Sequence, residues 1–481
     1  IHPEKKTVSV KNLKTGEEFE ESYDKLILSP GAKPTQPRFF GADLDKVFTL
    51  RTVEDTLRIK NYINENHPKS AVLAGGGFIG LELAENLREL GMDVTVVEYA
   101  KQLMSPFDSD MAAFIHNEMR KHDVKLVLGR AVEGFEEKDG GVDVLLKDEA
   151  PLHADMVVLA IGVTPDTALA KEAGLELGIK GAIVVNDRME TSVPDIYAAG
   201  DAVQVKNFVT GDDALISLAG PANKQGRIIA DNICGLDSRY KGSQGSSVIK
   251  VFDMTAALTG INERTAKTAG LNADTVILSP MSHAGYYPGG KVMTVKVVFE
   301  KGTYRLLGAQ IVGYDGVDKR IDVLATAIRA GLKATDLKDL DLAYAPPYSS
   351  AKDPVNMAGF MIDNIANGVL KQWHLEDAYK LPRDGSVTLL DTRTVWEYSQ
   401  GHIEGFKNIP VDELRERLDE VEKDKPVYVI CQSGLRSYIA SRILEGSGYT
   451  AYNFAGGFRF YDAVMNDRAL IERATACGRD N

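Results

Sequence analysis

The chain has 481 residues, 44% apolar and 26% charged, with a net charge of −13. That length exceeds what one core can hold and points to about three or four domains. The acidic balance, with no basic block, argues against nucleic acid as a partner, since phosphate binding needs clustered Lys and Arg.

Residues 7–10 and 18–22 flank a Lys14-Thr15-Gly16 turn and read as a hairpin. An apolar strand follows at 26–28. Residues 72–74 form a buried strand, followed by a Gly-rich turn, a helix over 79–90 and a strand over 94–97. That order is a βαβ opening. Further strands are expected at 125–128, 142–146, 156–161, 182–185 and 196–198, with a helix over 222–233. A Gly/Ser-rich stretch at 238–247 marks a break. Beyond it, strands at 291–299 and 306–312 surround a Lys301-Gly302 turn and precede a helix over 317–330, an α+β module with an antiparallel sheet. Pro382 and Gly385 mark a second break, after which short strands and helices alternate. No run approaches the ~20 apolar residues of a membrane span, and no signal peptide opens the sequence. Cys234, Cys431 and Cys477 are too scattered for a disulfide framework, so a reducing cytoplasm is the expected location.

Two motifs carry chemistry. Gly75, Gly77 and Gly80 have G-x-G-x-x-G spacing between strand and helix. The first permits the sharp turn, the second lets backbone approach a pyrophosphate, and the third lets helix and strand pack. The helix N-terminus favours the phosphates. Glu98 ends the next strand, where a carboxylate accepts from ribose hydroxyls and repels a 2′-phosphate, so NADH is expected over NADPH. The second motif is Cys431, between a strand at 427–430 and a helix expected near Ser437. Backbone N–H groups at such a junction stabilise a thiolate or persulfide, and Arg436 is expected to add positive charge.

The segment Tyr197-Ala198-Ala199-Gly200-Asp201, with Ser29-Pro30-Gly31-Ala32, resembles the FAD signatures of the pyridine nucleotide–disulfide oxidoreductases. The resemblance implies that Asp201 contacts the ribityl chain, with Ser29, Gly31 and Gly200 around the flavin. It extends to Gly162, in the loop closing the nicotinamide domain. It also covers residues 218–226, where Ala219 would lie at a helix N-terminus facing the flavin ring. Glu82 matches an acidic residue near the nicotinamide amide. Members also carry an earlier G-x-G-x-x-G and a redox cysteine behind it. Neither occurs before Asp24, and Cys234 reads as structural, so an N-terminal segment holding the flavin-proximal thiol is expected to be missing from this sequence.

Residues 247–370, above all Tyr344-Ala345-Pro346-Pro347-Tyr348 and Lys352-Asp353-Pro354, resemble that family's dimerisation domain. In the coenzyme A-disulfide reductase branch the resemblance implies that Tyr286 and Tyr344 reach the partner subunit's flavin site, where a phenol can hydrogen-bond a thiolate or protonate a leaving sulfur. Residues 382–473 resemble the rhodaneses, through Asp391-Thr392-Arg393, Glu397-Tyr398, Gly401-His402-Ile403-Glu404-Gly405, Asn408-Ile409-Pro410 and the Cys431 loop. Phe406 departs from a usual small residue. His402 is expected to brace the fold and Cys477 to be inert.

The fold expected is α/β: two interleaved Rossmann-like domains for FAD and NAD, an α+β dimerisation domain and a C-terminal α/β rhodanese domain. The expected boundaries are 1–68 (a remnant of the FAD domain), 69–165 (nicotinamide), 166–242 (the rest of the FAD domain), 247–372 (dimerisation) and 382–478 (rhodanese). The resemblance implies an NADH-driven, FAD-dependent homodimeric reductase of coenzyme A disulfide, persulfide or polysulfide. Coenzyme A is a possible further ligand, and no metal is expected. Alternatives are an NADH oxidase and a sulfur-carrier protein with an inactive flavin domain.

Overall fold

The computed structural model describes residues 1–35 and 39–477, with side chains as far as Arg473. The chain divides into two compact units, residues 1–80 with 132–245 and residues 81–131 with 246–481.

In the first unit, β1 (Thr7–Lys11) and β2 (Glu18–Ser22) form the expected hairpin, with Val10 opposite Phe19. Strand β3 is Leu26–Leu28, β4 is Val47–Thr49 and β5 is Ser70–Ala74. Helix α1, Phe78–Glu89, begins three residues past the Gly75 turn and carries the chain into the second unit. There β6 (Asp93–Glu98), α2 (Ser109–Lys121) and β7 (Lys125–Leu128) follow, with β6 and β7 parallel. Back in the first unit, β8 (Met156–Leu159) lies between β4 and β5, parallel to both, and is wholly buried. Continuous burial on both faces explains its unbroken apolar run.

Strand β9 (Ile196–Ala198) pairs in parallel with β3, and α3 is Ala219–Ile233. The core beneath them includes Ile183, Met189, Ile196, Ala198 and Ile229. The strand expected at 182–185 is absent; Ile183 makes only isolated bridges, to Leu177 and Val203. Its apolar character serves burial in this core. Helix α3 starts three residues before the expected point, because Pro221 falls in the first turn, where an N–H has no intrahelical acceptor.

The second unit continues with an antiparallel sheet of β10 (Ser247–Val251), β11 (Met254–Gly260), β12 (Ala273–Leu278), β13 (Met293–Glu300) and β14 (Leu306–Gly313), in the order β10-β11-β14-β13-β12. Helix α4 (Val317–Ala330) packs on it, and α5 (Pro354–Ala366) follows, capped by Asp353. Lys296 on β13 is fully buried, with its ammonium on Asp110 at 2.7 Å, Asp108 at 3.1 Å and Glu263. A lysine in a strand reads as solvent-facing; only the carboxylates gathered around it make its burial tolerable.

The last domain is a parallel sheet of β15 (Gln372–Trp373), β16 (Thr388–Asp391), β17 (Lys407–Asn408), β18 (Val427–Ile430) and β19 (Ala451–Phe454), in the order β15-β19-β18-β16-β17. Residues 372–373 therefore join this sheet, before the break expected near Pro382. Trp373 is buried there, its ring 4.3 Å from Phe454. Helix α6 is Val395–Ser399, α7 is Leu435–Gly446 and α8 is Gly457–Cys477. Helix α8 packs on α2: Phe460 stacks on Phe114, and His116 Nδ1 lies 2.8 Å from Asp467.

Candidate active sites

At the Gly75 turn the three glycines do different work. Gly75 has φ +118°, and a Cβ there would fall 2.2 Å from the Ala160 carbonyl oxygen. A Cβ on Gly80 would fall 2.1 Å from Gly75 O. Both positions are filled by backbone. A Cβ on Gly77 meets nothing within 4 Å. Open space at the middle glycine alone is what a docked pyrophosphate needs. Glu98 ends β6, and its Oε1 accepts from Ala100 N at 2.8 Å. Glu82 is exposed on α1, and Gly162 is an exposed loop glycine with φ +113°.

The flavin-signature residues meet in the first unit. Asp201 Oδ2 lies 3.3 Å from Arg51 Nη2, and the same guanidinium nitrogen would be 3.1 Å from a Cβ on Gly31. Gly200, with φ +82°, donates its N–H to Gln225 Oε1 at 2.8 Å, tying the turn to α3. Ser29 and Ala219 are exposed, and no side chain caps α3, so its first N–H groups are available to an acceptor. This arrangement fits an anionic, hydroxyl-rich cofactor. Arg51 carried no signal in the sequence beyond its type, and Gln225 falls in the 218–226 stretch without a role assigned to it there. Cys234 sits at the C-cap of α3 and is exposed.

In the second unit, the Tyr286 and Tyr344 hydroxyls lie 2.9 Å apart, and both side chains are exposed. Two loops deliver them. Ala284 N donates to Ser349 O at 2.9 Å. The buried Arg320 guanidinium donates to Ser282 O at 2.8 Å, Tyr348 O at 3.3 Å and Asp353 Oδ2 at 3.0 Å. One arginine therefore clamps both loops, and the sequence did not reveal it. The hydrogen bond to Tyr286, which holds the Tyr344 proton, pushes Tyr344 above the ordinary phenol range.

Cys431 is fully buried at the end of β18. Gly434 N donates to its Sγ at 3.1 Å, and Ser437 Oγ lies 3.2 Å from the same sulfur. Gly434 adopts φ +99°, so α7 begins at Leu435, earlier than the Ser437 start expected. Behind the loop, Phe458 N donates to Cys431 O at 2.7 Å, and a Cβ on Gly457 would fall 2.7 Å from Gln432 O. Arg393 is buried, bonded to both oxygens of Asp391 and seated 3.8 Å over the Phe458 ring. Arg436 makes a two-point pair with Glu397, both contacts 2.7 Å, and this guanidinium holds the Glu397 carboxyl at about 2. The Arg436 charge is shared between Glu397 and the Cys431 sulfur, both of which raise the guanidinium above the usual arginine range. His402 stacks on Tyr398 at 3.9 Å and lies 3.1 Å from its carbonyl, a bracing contact.

Family models match over three stretches: pyridine nucleotide-disulphide oxidoreductase over 1–226, its dimerisation domain over 246–354, and a rhodanese-like domain over 374–463. A protein named NADH oxidase from Methanocaldococcus jannaschii is 39% identical over 349 residues, 72% of this chain and 77% of that one. The coenzyme A disulfide reductase of Staphylococcus aureus is 36% identical over 361 residues, 75% of this chain and 80% of that one.

The chain belongs to the pyridine nucleotide-disulphide oxidoreductases.

Two solved structures extend the likeness through the rhodanese-like domain. Reduced Bacillus anthracis CoADR-RHD has a TM-score of 0.94 at 49% identity, covering 97% of this chain and 84% of that one. An NAD-dependent persulfide reductase from A. fulgidus has a TM-score of 0.89 at 40% identity, covering 96% and 84%. The protein is an oxidoreductase of this family, a flavoprotein using FAD and NAD(P)H, with a fused rhodanese-like domain. Among the described residues, no helix is long and apolar enough to cross a membrane.

Proposed function

We propose that this pyridine nucleotide-disulphide oxidoreductase is an NADH-driven reductase of coenzyme A disulfide, coenzyme A persulfide or polysulfide, with Cys431 as carrier of sulfane sulfur. The observation that carries this reading is the Cys431 cradle, a buried sulfur receiving the Gly434 N–H and lying beside the Ser437 hydroxyl. Donors aimed at sulfur favour its anion. The thiolate attacks the outer sulfur of a donor such as thiosulfate. The donor's S–S bond breaks, sulfite leaves and Cys431 becomes a persulfide. Transfer to an acceptor thiol regenerates the thiolate. The reductive stage is RSSH + NADH + H⁺ → RSH + H₂S + NAD⁺, or RSSR giving two RSH. FAD, when bound, supplies the relay of two electrons between nicotinamide and sulfur.

We assign residues 1–68 and 166–242 to the flavin domain, 69–165 to the nicotinamide domain, 247–371 to dimerisation and, because Gln372–Trp373 pair in the last sheet, 372–478 to sulfur transfer. Gly75, Gly77, Gly80, Glu82, Glu98 and Gly162 hold the dinucleotide. Ser29, Gly31, Gly200, Asp201 and Ala219 hold the flavin, with Asp201 oriented by Arg51. Tyr286 and Tyr344 act as paired phenols at the reductive site of a homodimer. Arg436 holds the Cys431 loop through Glu397.

The test is anaerobic NADH oxidation by the purified protein with coenzyme A persulfide or disulfide, with sulfide and thiol measured together. Thiol or sulfide release matching NADH consumption supports the reading. Turnover that requires oxygen and releases neither would replace it with an NADH oxidase, a reading favoured by the Methanocaldococcus relative's name. Cys431→Ser should abolish transfer from thiosulfate, because a serine hydroxyl forms no persulfide, while reduction of a small free disulfide continues.

A further inference from the structure

Arg459, in the first turn of α8, is half-buried, and burial pulls its guanidinium below the usual arginine range. Its backbone N–H is spent on Gln432 O at 3.1 Å. Its guanidinium has no hydrogen-bond or ion-pair partner among the described residues. A half-buried guanidinium without a protein acceptor is available to an anionic one.

The guanidinium lines a cavity of about 140 Å³ that Phe114, Asn117, Lys121, Tyr314 and Val312 also border. Lys121 is the second cation of the wall. Glu118 is its carboxylate, and its charge is already answered: Tyr314 donates its hydroxyl at 2.6 Å, Lys121 donates at 3.2 Å and His122 Nε2 lies at 3.2 Å. Lys121 also approaches Asp253 at 4.0 Å, so the cation facing the cavity without a carboxylate partner is Arg459. The volume is below the ~300–1,000 Å³ of pockets for larger organic ligands, so a nucleotide or coenzyme does not fit. A compact anion does.

We propose that this cavity, where α2 and α8 meet β14, is a binding site for one small tetrahedral oxyanion of the sulfate class, held by the Arg459 fork. Fork geometry matches two oxygens of such an ion. The site adjoins the sulfur loop, because the turn carrying Arg459 also donates Phe458 N to Cys431 O. An ion there stiffens the turn that backs Cys431, whatever the protein's physiological sulfur substrate.

Crystals of the full protein grown without sulfate and soaked in selenate give the direct test. An anomalous selenium peak within hydrogen-bond reach of the Arg459 guanidinium is expected. Its absence overturns the proposal without recourse to any variant. In solution, sulfate should raise the melting temperature by about 2–4 °C over chloride at equal ionic strength. Arg459→Met should lose that increment, and Arg459→Lys should keep part of it. An undiminished increment in Arg459→Met would assign the effect to bulk salt and reject the site.

Discussion

The Tyr286 and Tyr344 hydroxyls meet at 2.9 Å across 58 residues of sequence. Each oxygen both donates and accepts, so the pair can pass a proton while staying neutral. The loops that carry them are tied together by the Arg320 clamp on Ser282 O, Tyr348 O and Asp353.

The contact raises Tyr344 above its ordinary value. Alkaline difference spectroscopy should therefore find a tyrosine ionising later than a free phenol. Tyr286→Phe should return it to the normal range by removing the hydrogen bond. It should also slow reduction by about 10²-fold or more, within the usual worth of a positioned acid. Unchanged turnover in both Tyr286→Phe and Tyr344→Phe would remove the phenols from the chemistry.

Arg436 and Glu397 give a pH prediction. The folded Glu397 carboxyl is held at about 2 by Arg436, against ~4.3 in an unfolded chain. A lowered carboxyl stabilises the fold fully above the unfolded value and loses that contribution as pH falls through the folded one. Wild type should exceed Glu397→Gln in stability by a constant amount from pH 7 to about 5. The gap should close between about 4.5 and 2. Partial exposure of the pair limits it to about 1 kcal/mol. Chemical denaturation across that range measures it.

Freeing Arg436 has the opposite consequence for the sulfur. In Glu397→Gln the guanidinium loses its counter-charge and is free to pair with an anionic donor, so KM for thiosulfate should fall. Arg436→Ala should slow sulfur transfer by about tenfold, far less than Cys431→Ser, because it removes charge and loop support but leaves the nucleophile.

Gly77 and Gly80 should separate binding from folding. Gly77→Ala adds a Cβ in open space, so melting should be unchanged while NADH affinity falls. Gly80→Ala drives a Cβ to 2.1 Å from Gly75 O and should cost about 1–3 kcal/mol of stability. Equal NADH affinity in wild type and Gly77→Ala would mean that the phosphates dock elsewhere.

Glu98 should set the choice of dinucleotide. Wild type is expected to favour NADH over NADPH by at least about tenfold in kcat/KM, and Glu98→Ala should narrow that ratio by removing repulsion of the 2′-phosphate. A wild type equally efficient with both would reject the ribose argument.

Much of this protein was legible from local backbone demands. Glycines at 75, 77 and 80 between a buried strand and a helix define a phosphate turn wherever they occur, because only glycine permits that turn and approach. Cys431 at a strand–helix junction likewise announces a cradled sulfur, although Gly434's left-handed φ moved the helix start to Leu435. The contacts that tune these sites were not legible. Arg51 with Asp201, Arg320 with the two tyrosine loops, Arg436 with Glu397 and the burial of Lys296 join segments far apart in sequence. Ion pairs of that kind follow no helical or strand period. Their partners are chosen by which loops and strands the packed cores bring together, and that choice exists only in three dimensions.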